Sequence, residues 1–277
     1  MLMQRTIKST VRCAGVGIHS GLESAVQLCP AGPNTGVEFH VMDGDNTVAI
    51  IPARISMVTS GLFRTSLSNG RYHVDTVEHV LAAATGCNID NLIVMIRGTE
   101  LPALDGSAIC WVNLMTDAGI EEQAAYARIL KIKDKIIVKD RDSWCSLSPC
   151  DSFELSYDLS YLHPMIGDQT ASVVIDPQTF EHDIAPSRTF GFHEEMARLQ
   201  SLGLAAGADL SNAVVFSGPD VLNDGGLRFS DEPVRHKILD AIGDLTLAGA
   251  RIVGKFHGYK SGHSLNHQLV KALINTI

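Results

Sequence analysis

The chain spells one structural unit twice. Glu78-His79-Val80-Leu81-Ala82-Ala83-Ala84 rhymes with Arg235-His236-Lys237-Ile238-Leu239-Asp240-Ala241, each a histidine followed by apolar residues at helical spacing. After each comes a chain reversal and a strand-like run, Asn91-Leu92-Ile93-Val94-Met95-Ile96 in the first copy and Ala250-Arg251-Ile252-Val253-Gly254 in the second. The pattern points to a helix and a strand used twice, with a site between the copies.

The second copy carries the chemistry. His236 and Asp240 stand four residues apart, so on a helix both side chains share one face, one turn apart, and both reach a single ion. An ordinary i,i+4 contact on a solvated face accounts for most such pairs taken alone. Two ligands do not close a zinc site, and a catalytic zinc keeps its fourth position for water. His79 is the candidate third ligand and Glu78 the candidate base, although an acid at a helix N-terminus is also what the helix dipole favours. A purely structural zinc would want four protein ligands rich in cysteine. The six cysteines form no CxxC pair and read as reduced, mostly buried thiols.

Composition bounds the rest. A length of 277 residues suits two domains or one large one, and 45% hydrophobic residues suit a substantial core. A net charge of -9 argues against nucleic acid or an anionic membrane surface as the main partner. No apolar run approaches the roughly 20 residues of a membrane helix. Met1 to Lys8 lacks a signal-peptide core and reads as an opening strand. A cytoplasmic protein is expected.

Along the chain, Ser24 to Leu28 reads as a strand, Val77 opens a helix, and Ile109 to Ala118 reads as another. The stretch Gly119-Ile120-Glu121-Glu122-Gln123-Ala124-Ala125 is polar and without period, and the expected boundary lies there. Arg128 to Ile132 and Lys135 to Val138 then open the second half as strands. Glu195 to Gln200 and Val234 to Ala248 read as helices. The mixed order predicts α+β layers rather than a doubly wound sheet, with domains 1-124 and 125-277.

Seven segments together carry a resemblance. Gly15-Val16-Gly17-Ile18-His19-Ser20-Gly21, Thr76-Val77-Glu78-His79, Leu104-Asp105-Gly106-Ser107-Ala108, Ser187-Arg188-Thr189-Phe190-Gly191-Phe192, Leu227-Arg228-Phe229, Val234 to Leu245 and Lys260-Ser261-Gly262-His263 run in order from one end to the other. At these spacings the chain resembles the UDP-3-O-acyl-N-acetylglucosamine deacetylases, zinc amidases of lipid A biosynthesis in Gram-negative bacteria. The resemblance implies two similar two-layer domains, each a sheet backed by two helices, with the helical layers facing each other around the active site.

It also implies roles. His79, His236 and Asp240 would hold zinc, with iron(II) compatible with the same ligands. Glu78 would be the base, His263 the general acid, and Asp244 the carboxylate that orients and charges His263. Lys237 and Thr189 would stabilise the developing oxyanion. Leu62 and Phe63 would approach the substrate, and Phe190 would lie beside the site. Met196, Leu199, Leu202 and Ala213 are candidates for an apolar passage that takes the acyl chain, or are plain core. His263 and His267 sit in a Gly-His-Ser-Leu-Asn-His stretch read as a loop, where His263 taken alone could be structural and His267 is not expected to be catalytic; the glycine-rich turn around His19 accounts for itself by geometry. The expected partner is a small nucleotide-sugar lipid, bound by a monomer with no transmembrane segment.

Phe63 and Arg64 stand where the family usually has small residues, a change expected to alter contacts at the substrate loop. The chain is shorter than many members, and no dehydratase extension is expected. Two other readings stay open: the same fold acting on a different N-acyl sugar, and a non-catalytic relative that binds a nucleotide sugar.

Overall fold

The computed structural model describes residues 2–276. The repeated unit becomes two sheets that share one five-strand wiring, the second carrying a sixth strand, Ile129–Lys131, parallel to Arg251–Tyr259. In the first, strands Val11–Val16, Glu23–Pro30, Leu92–Arg97, Val37–Asp43 and Asn46–Pro52 lie side by side in that order. In the second the order is Ile136–Asp140, Ser143–Ser148, Arg251–Tyr259, Phe153–Ser160 and Asp168–Val174. The strand that follows each histidine helix is the central one. It runs antiparallel to one neighbour and parallel to the other in both sheets. A parallel neighbour demands a crossover, and the histidine helix is that crossover each time.

Six α-helices occur among the described residues: α1 (Glu78–Gly86), α2 (Ile109–Asp117), α3 (Pro177–Thr179), α4 (Met196–Ser201), α5 (Glu232–Thr246) and α6 (His263–Ile274). α1 and α2 back the first sheet; α5 and α6 back the second. The central strands bury alternate residues, the mark of a sheet covered on one face. α1 is buried on nearly every side, because its own sheet lies behind it and α5 lies in front. The helical layers therefore face each other, as the resemblance implied.

The α1–α5 crossing is close enough to require glycine. A methyl group at Gly243 would collide with the carbonyl oxygen of Glu78. Alanine at a helix-interior glycine normally gains up to ~1 kcal/mol in helix propensity. Here the obstacle is backbone, which has little freedom to yield, so overpacking decides the sign. Gly243→Ala is expected to lower the unfolding free energy by about 1–3 kcal/mol. A urea titration that found the variant more stable would show that the two helices have room to part.

Each unit carries an insertion at the same point, just before its histidine helix. In the first it is the three-stranded sheet Val58–Thr59, Ser66–Ser68 and His73–Asp75; in the second, Phe190–Phe192, Val214–Ser217 and Asp220–Val221. This topology sets both insertions beside the N-terminal halves of α1 and α5.

The polar stretch 119–125, where the domain boundary is expected, forms a strand. Ile120–Tyr126 pairs antiparallel with Met3–Ile7, so the boundary placed after residue 124 falls inside an element. Its polar character has a physical use: Gln123 accepts from the Asn91 amide at 2.6 Å and donates to the Ala31 carbonyl at 2.7 Å. The expected loop at Gly262 to His267 is also corrected, since His263 begins α6.

Candidate active site

Three elements bring the titratable groups together. The first turn of α1 presents Glu78 and His79; α5 presents His236, Lys237, Asp240 and Asp244 along successive turns; the start of α6 presents His263, Asn266 and His267. One ligand atom each from His79, His236 and Asp240 lies within 4.8 Å of the others, and all three residues are buried. The His236 ring gives Nδ1–H to the Ser187 carbonyl at 3.0 Å, leaving Nε2 with its lone pair free and facing Asp240 Oδ1 at 3.3 Å. His79 Nε2 is 3.8 Å from the same oxygen.

The protonation states suit a cation. Burial, reinforced by the neighbouring His236 ring, pushes His79 down to about 3. Burial also lowers His236. Both imidazoles are therefore neutral donors at pH 7. Burial works against the Asp240 charge, but His236 and the Lys237 ammonium outweigh it and hold the carboxyl well below the usual range. Two neutral imidazoles and a carboxylate, clustered and dry, fit a divalent ion such as zinc or iron(II).

Beside this cluster lies an acid–base pair. Burial pushes Glu78 up to about 8, against the pull of His263. Its Oε2 accepts the Thr65 amide at 3.0 Å, and its Oε1 lies 3.9 Å from His263 Nε2. His263 Nδ1 meets Asp244 Oδ2 at 2.9 Å. Burial alone would lower this imidazole; the Asp244 carboxylate, with Asp240 and Glu78 beyond it, carries it to about 9. Asp244 is fully buried and also accepts from Asn266 Nδ2 at 2.9 Å.

Lys237 lies against the cluster. Its Nζ is 2.9 Å from Asp240 Oδ2 and 5.7 Å from the centre of the Phe190 ring. Burial opposes its charge, yet Asp240 raises its pKa. Thr189 is fixed through its backbone, giving N–H to Gly106 O and accepting from Val214 N. The segment before it is anchored by a buried ion pair, in which Glu232 accepts from Arg188 Nε, Arg188 Nη2 and the Arg188 amide. Arg228 closes the same frame on Asp105 at 2.8 Å. Two of the seven segments, Leu104 to Ala108 and Leu227 to Phe229, thus build scaffolding around the site.

The expected substrate residues divide. Leu62 and Phe63 are exposed, at 61% and 60%, and Phe63 takes a left-handed φ of 61° while Arg64 turns to Asp75 at 3.1 Å. Phe190 packs edge-on to Tyr161 and Phe216. Met196 and Leu199 are half-buried on α4, Leu202 is exposed, and Ala213 is buried with its carbonyl bound by Asn223. Sequence reasoning missed Tyr161, His163 and Phe216, which join Phe190 and Phe192 in one aromatic cluster. It also missed Thr65. That hydroxyl donates to Asp244 Oδ1 at 2.5 Å and lies 3.0 Å from His267 Nε2, while its amide holds Glu78, so one residue spans the base and the acid. His267, 3.2 Å from Asp244, belongs to the same buried network.

A family model described as UDP-3-O-acyl N-acetylglycosamine deacetylase matches residues 4–275. The chain is 43% identical over 277 residues to UDP-3-O-acyl-N-acetylglucosamine deacetylase of Haemophilus influenzae (strain PittEE), covering 99% of this chain and 90% of that one. The protein of the same name from Pasteurella multocida (strain Pm70) is 43% identical with the same coverage. The Pseudomonas entomophila (strain L48) protein is 44% identical over 276 residues, covering 99% and 91%.

Proposed function

The chain belongs to the UDP-3-O-acyl N-acetylglycosamine deacetylase family, and on that footing we propose that it hydrolyses the acetamide of UDP-3-O-(3-hydroxyacyl)-N-acetylglucosamine. Acetate and the free amine are the products, and the step commits the sugar to lipid A. The observation that carries this reading is the convergence of the His79, His236 and Asp240 donors with Glu78 and the His263–Asp244 pair at one crossing of helices.

His79, His236 and Asp240 would hold the ion, zinc or iron(II). When bound, it supplies Lewis acidity to the acetamide carbonyl and to the attacking water. Glu78, held at Oε2 by Thr65, would act as the base through Oε1 in its ionised form, which a neighbouring cation favours over the buried acid. His263 faces the same oxygen and is protonated at neutral pH, so it gives its Nε2 proton to the departing amine. Asp244 keeps the ring charged and turned. Lys237 and Thr189 set positive charge and a hydroxyl against the oxyanion as it forms. Leu62 and Phe63 border the sugar; Phe190, Met196 and Ala213 begin the acyl passage. The base lies in the first of the two units, on α1, and the acid in the second, on α6. No helix among the described residues is long and apolar enough to cross a membrane. The proposed setting is a cytoplasmic monomer.

The test is acetate release from that substrate, with metal content measured on the same sample. Acetate together with about one ion per chain supports the reading. A loaded chain that releases none sends the search to another N-acyl sugar, and a chain that binds no metal and turns nothing over sinks the proposal.

The acid role has its own pH signature. His263 keeps its proton up to about 9, so the rate should fall as pH rises through that value. Asp244→Asn removes the charge that raises it, and the falling limb should move down toward the ordinary imidazole value of ~6.5. A limb unmoved in Asp244→Asn would assign it to another group.

A further inference from the structure

At the C-terminal ends of α1 and α5 lies a cavity of about 360 Å³, within the size range of small-molecule sites. None of Glu78, His79, His236, Asp240 or His263 lines it. Its floor is apolar, from Ile89, Phe153, Ile175, Ile242 and Leu245, and two exposed apolar residues, Leu2 and Ile129, stand at its lip.

Its charges are unbalanced. Two carboxylates line it, and both are engaged: Asp90 by Arg251 at 2.6 Å, and Asp176 by the Thr179 amide at 2.8 Å, which it caps. Two guanidiniums are not. Arg64, Arg188, Arg228, Arg235 and Arg251 each pair with a carboxylate. Arg54 and Arg128, both in the cavity wall, form no ion pair among the described residues. The carboxylate that acts on Arg54 is Glu38, whose Oε2 is taken by His40 at 3.1 Å. Burial, and then the like charge of Arg128, lowers the pKa of Arg54. Yet the guanidinium has a made place. A methyl at Gly249 would collide with Nη1, and one at Gly36 would lie 3.1 Å from Nη2. Two mutually repelling cations beside an apolar floor are what a bound oxyanion would relieve.

We propose that this cavity is a second binding site, for a small organic anion whose phosphate or carboxylate headgroup meets Arg54 and Arg128 and whose apolar body rests on Phe153, Ile175 and Ile129. It goes beyond the deacetylase reading and does not depend on it. The headgroups share the chemistry of a delocalised oxyanion that accepts guanidinium hydrogen bonds.

The experiment is calorimetric titration of the metal-loaded full chain with phenyl phosphate, with benzoate, and with phenol as the uncharged control. One equivalent of phenyl phosphate or benzoate should bind, the stronger of the two naming the headgroup, and phenol should bind far more weakly. Arg54→Gln and Arg128→Gln should each raise Kd about tenfold or more, the loss of a charged hydrogen bond, with acetate release unchanged. Arg128 is exposed at the rim, so its variant preserves the test if Arg54→Gln does not fold. Binding of neither anion, equal binding of phenol, or anion binding that survives both substitutions would overturn the proposal.

Discussion

Glu78→Ala should release acetate roughly 10²–10⁴-fold more slowly than the parent chain while keeping its ion, the range that removal of a general base spans. The expectation rests on how Glu78 is held. One oxygen is fixed by the Thr65 amide, so the other is presented toward His263 with little freedom to wander. The side chain is almost completely buried and its carboxyl is pushed up to about 8, a position that natural sequences rarely give a carboxylate for stability's sake. The fold should tolerate the loss, although alanine leaves the Thr65 amide without its acceptor at a cost of about 1–3 kcal/mol. Glu78→Gln separates the effects: its amide oxygen still accepts from Thr65, and it has no carboxylate to take a proton. Both variants should therefore lose kcat, with only Glu78→Ala losing stability as well. Turnover near the parent's in Glu78→Gln would place the base elsewhere, and loss of the ion in either would make Glu78 part of the metal site.

What the sequence made legible follows from range. The pairing of His236 with Asp240 is local, fixed by the helical repeat, and the structure brings His79 to the same place. The rhyme between the two histidine helices became two sheets that share a five-strand order, because a crossover helix and its following strand form one topological unit. The failures are non-local. Ile120–Tyr126 is a strand only because Met3–Ile7 lies alongside, more than a hundred positions earlier in the chain. Nothing within that polar stretch signals a partner so distant. Thr65 is likewise mute in sequence, a threonine in a short strand region, yet its contacts reach Asp244 and His267 across 179 and 202 residues. The stretch read as a loop around His263 and His267 opens α6, which sets His267 one turn beyond His263 and against the same carboxylate. The Arg54–Arg128 cavity has no sequence signature, since an arginine without a partner looks like any other arginine until the fold shows what surrounds it.

Stripping the ion with a chelator should abolish turnover, leave the chain folded, and allow recovery when zinc or iron(II) is returned. Two of the three proposed ligands keep a protein hydrogen-bond partner without metal: His236 retains Ser187 O, and Asp240 retains the Lys237 ammonium at 2.9 Å, while the neutral His79 lies 3.8 Å from Asp240. The neutral imidazoles and the paired carboxylate carry no unmatched buried charge, so the empty cluster costs little. Stability should still fall, by the free energy the ion contributed to the native state alone. Saturation at a hundred times Kd is worth ~2.7 kcal/mol, about 5–10 °C in Tm for a domain of this size. His236→Ala should reproduce the stripped state irreversibly, binding no ion and turning nothing over whichever metal is offered. The two halves of the result answer different questions. Activity that survives complete removal of metal would break the proposed chemistry, whatever the fold does. Unfolding on removal would instead give the ion a structural task, which a set of three protein ligands at a helix crossing already packed through Gly243 and Glu78 is poorly built to need.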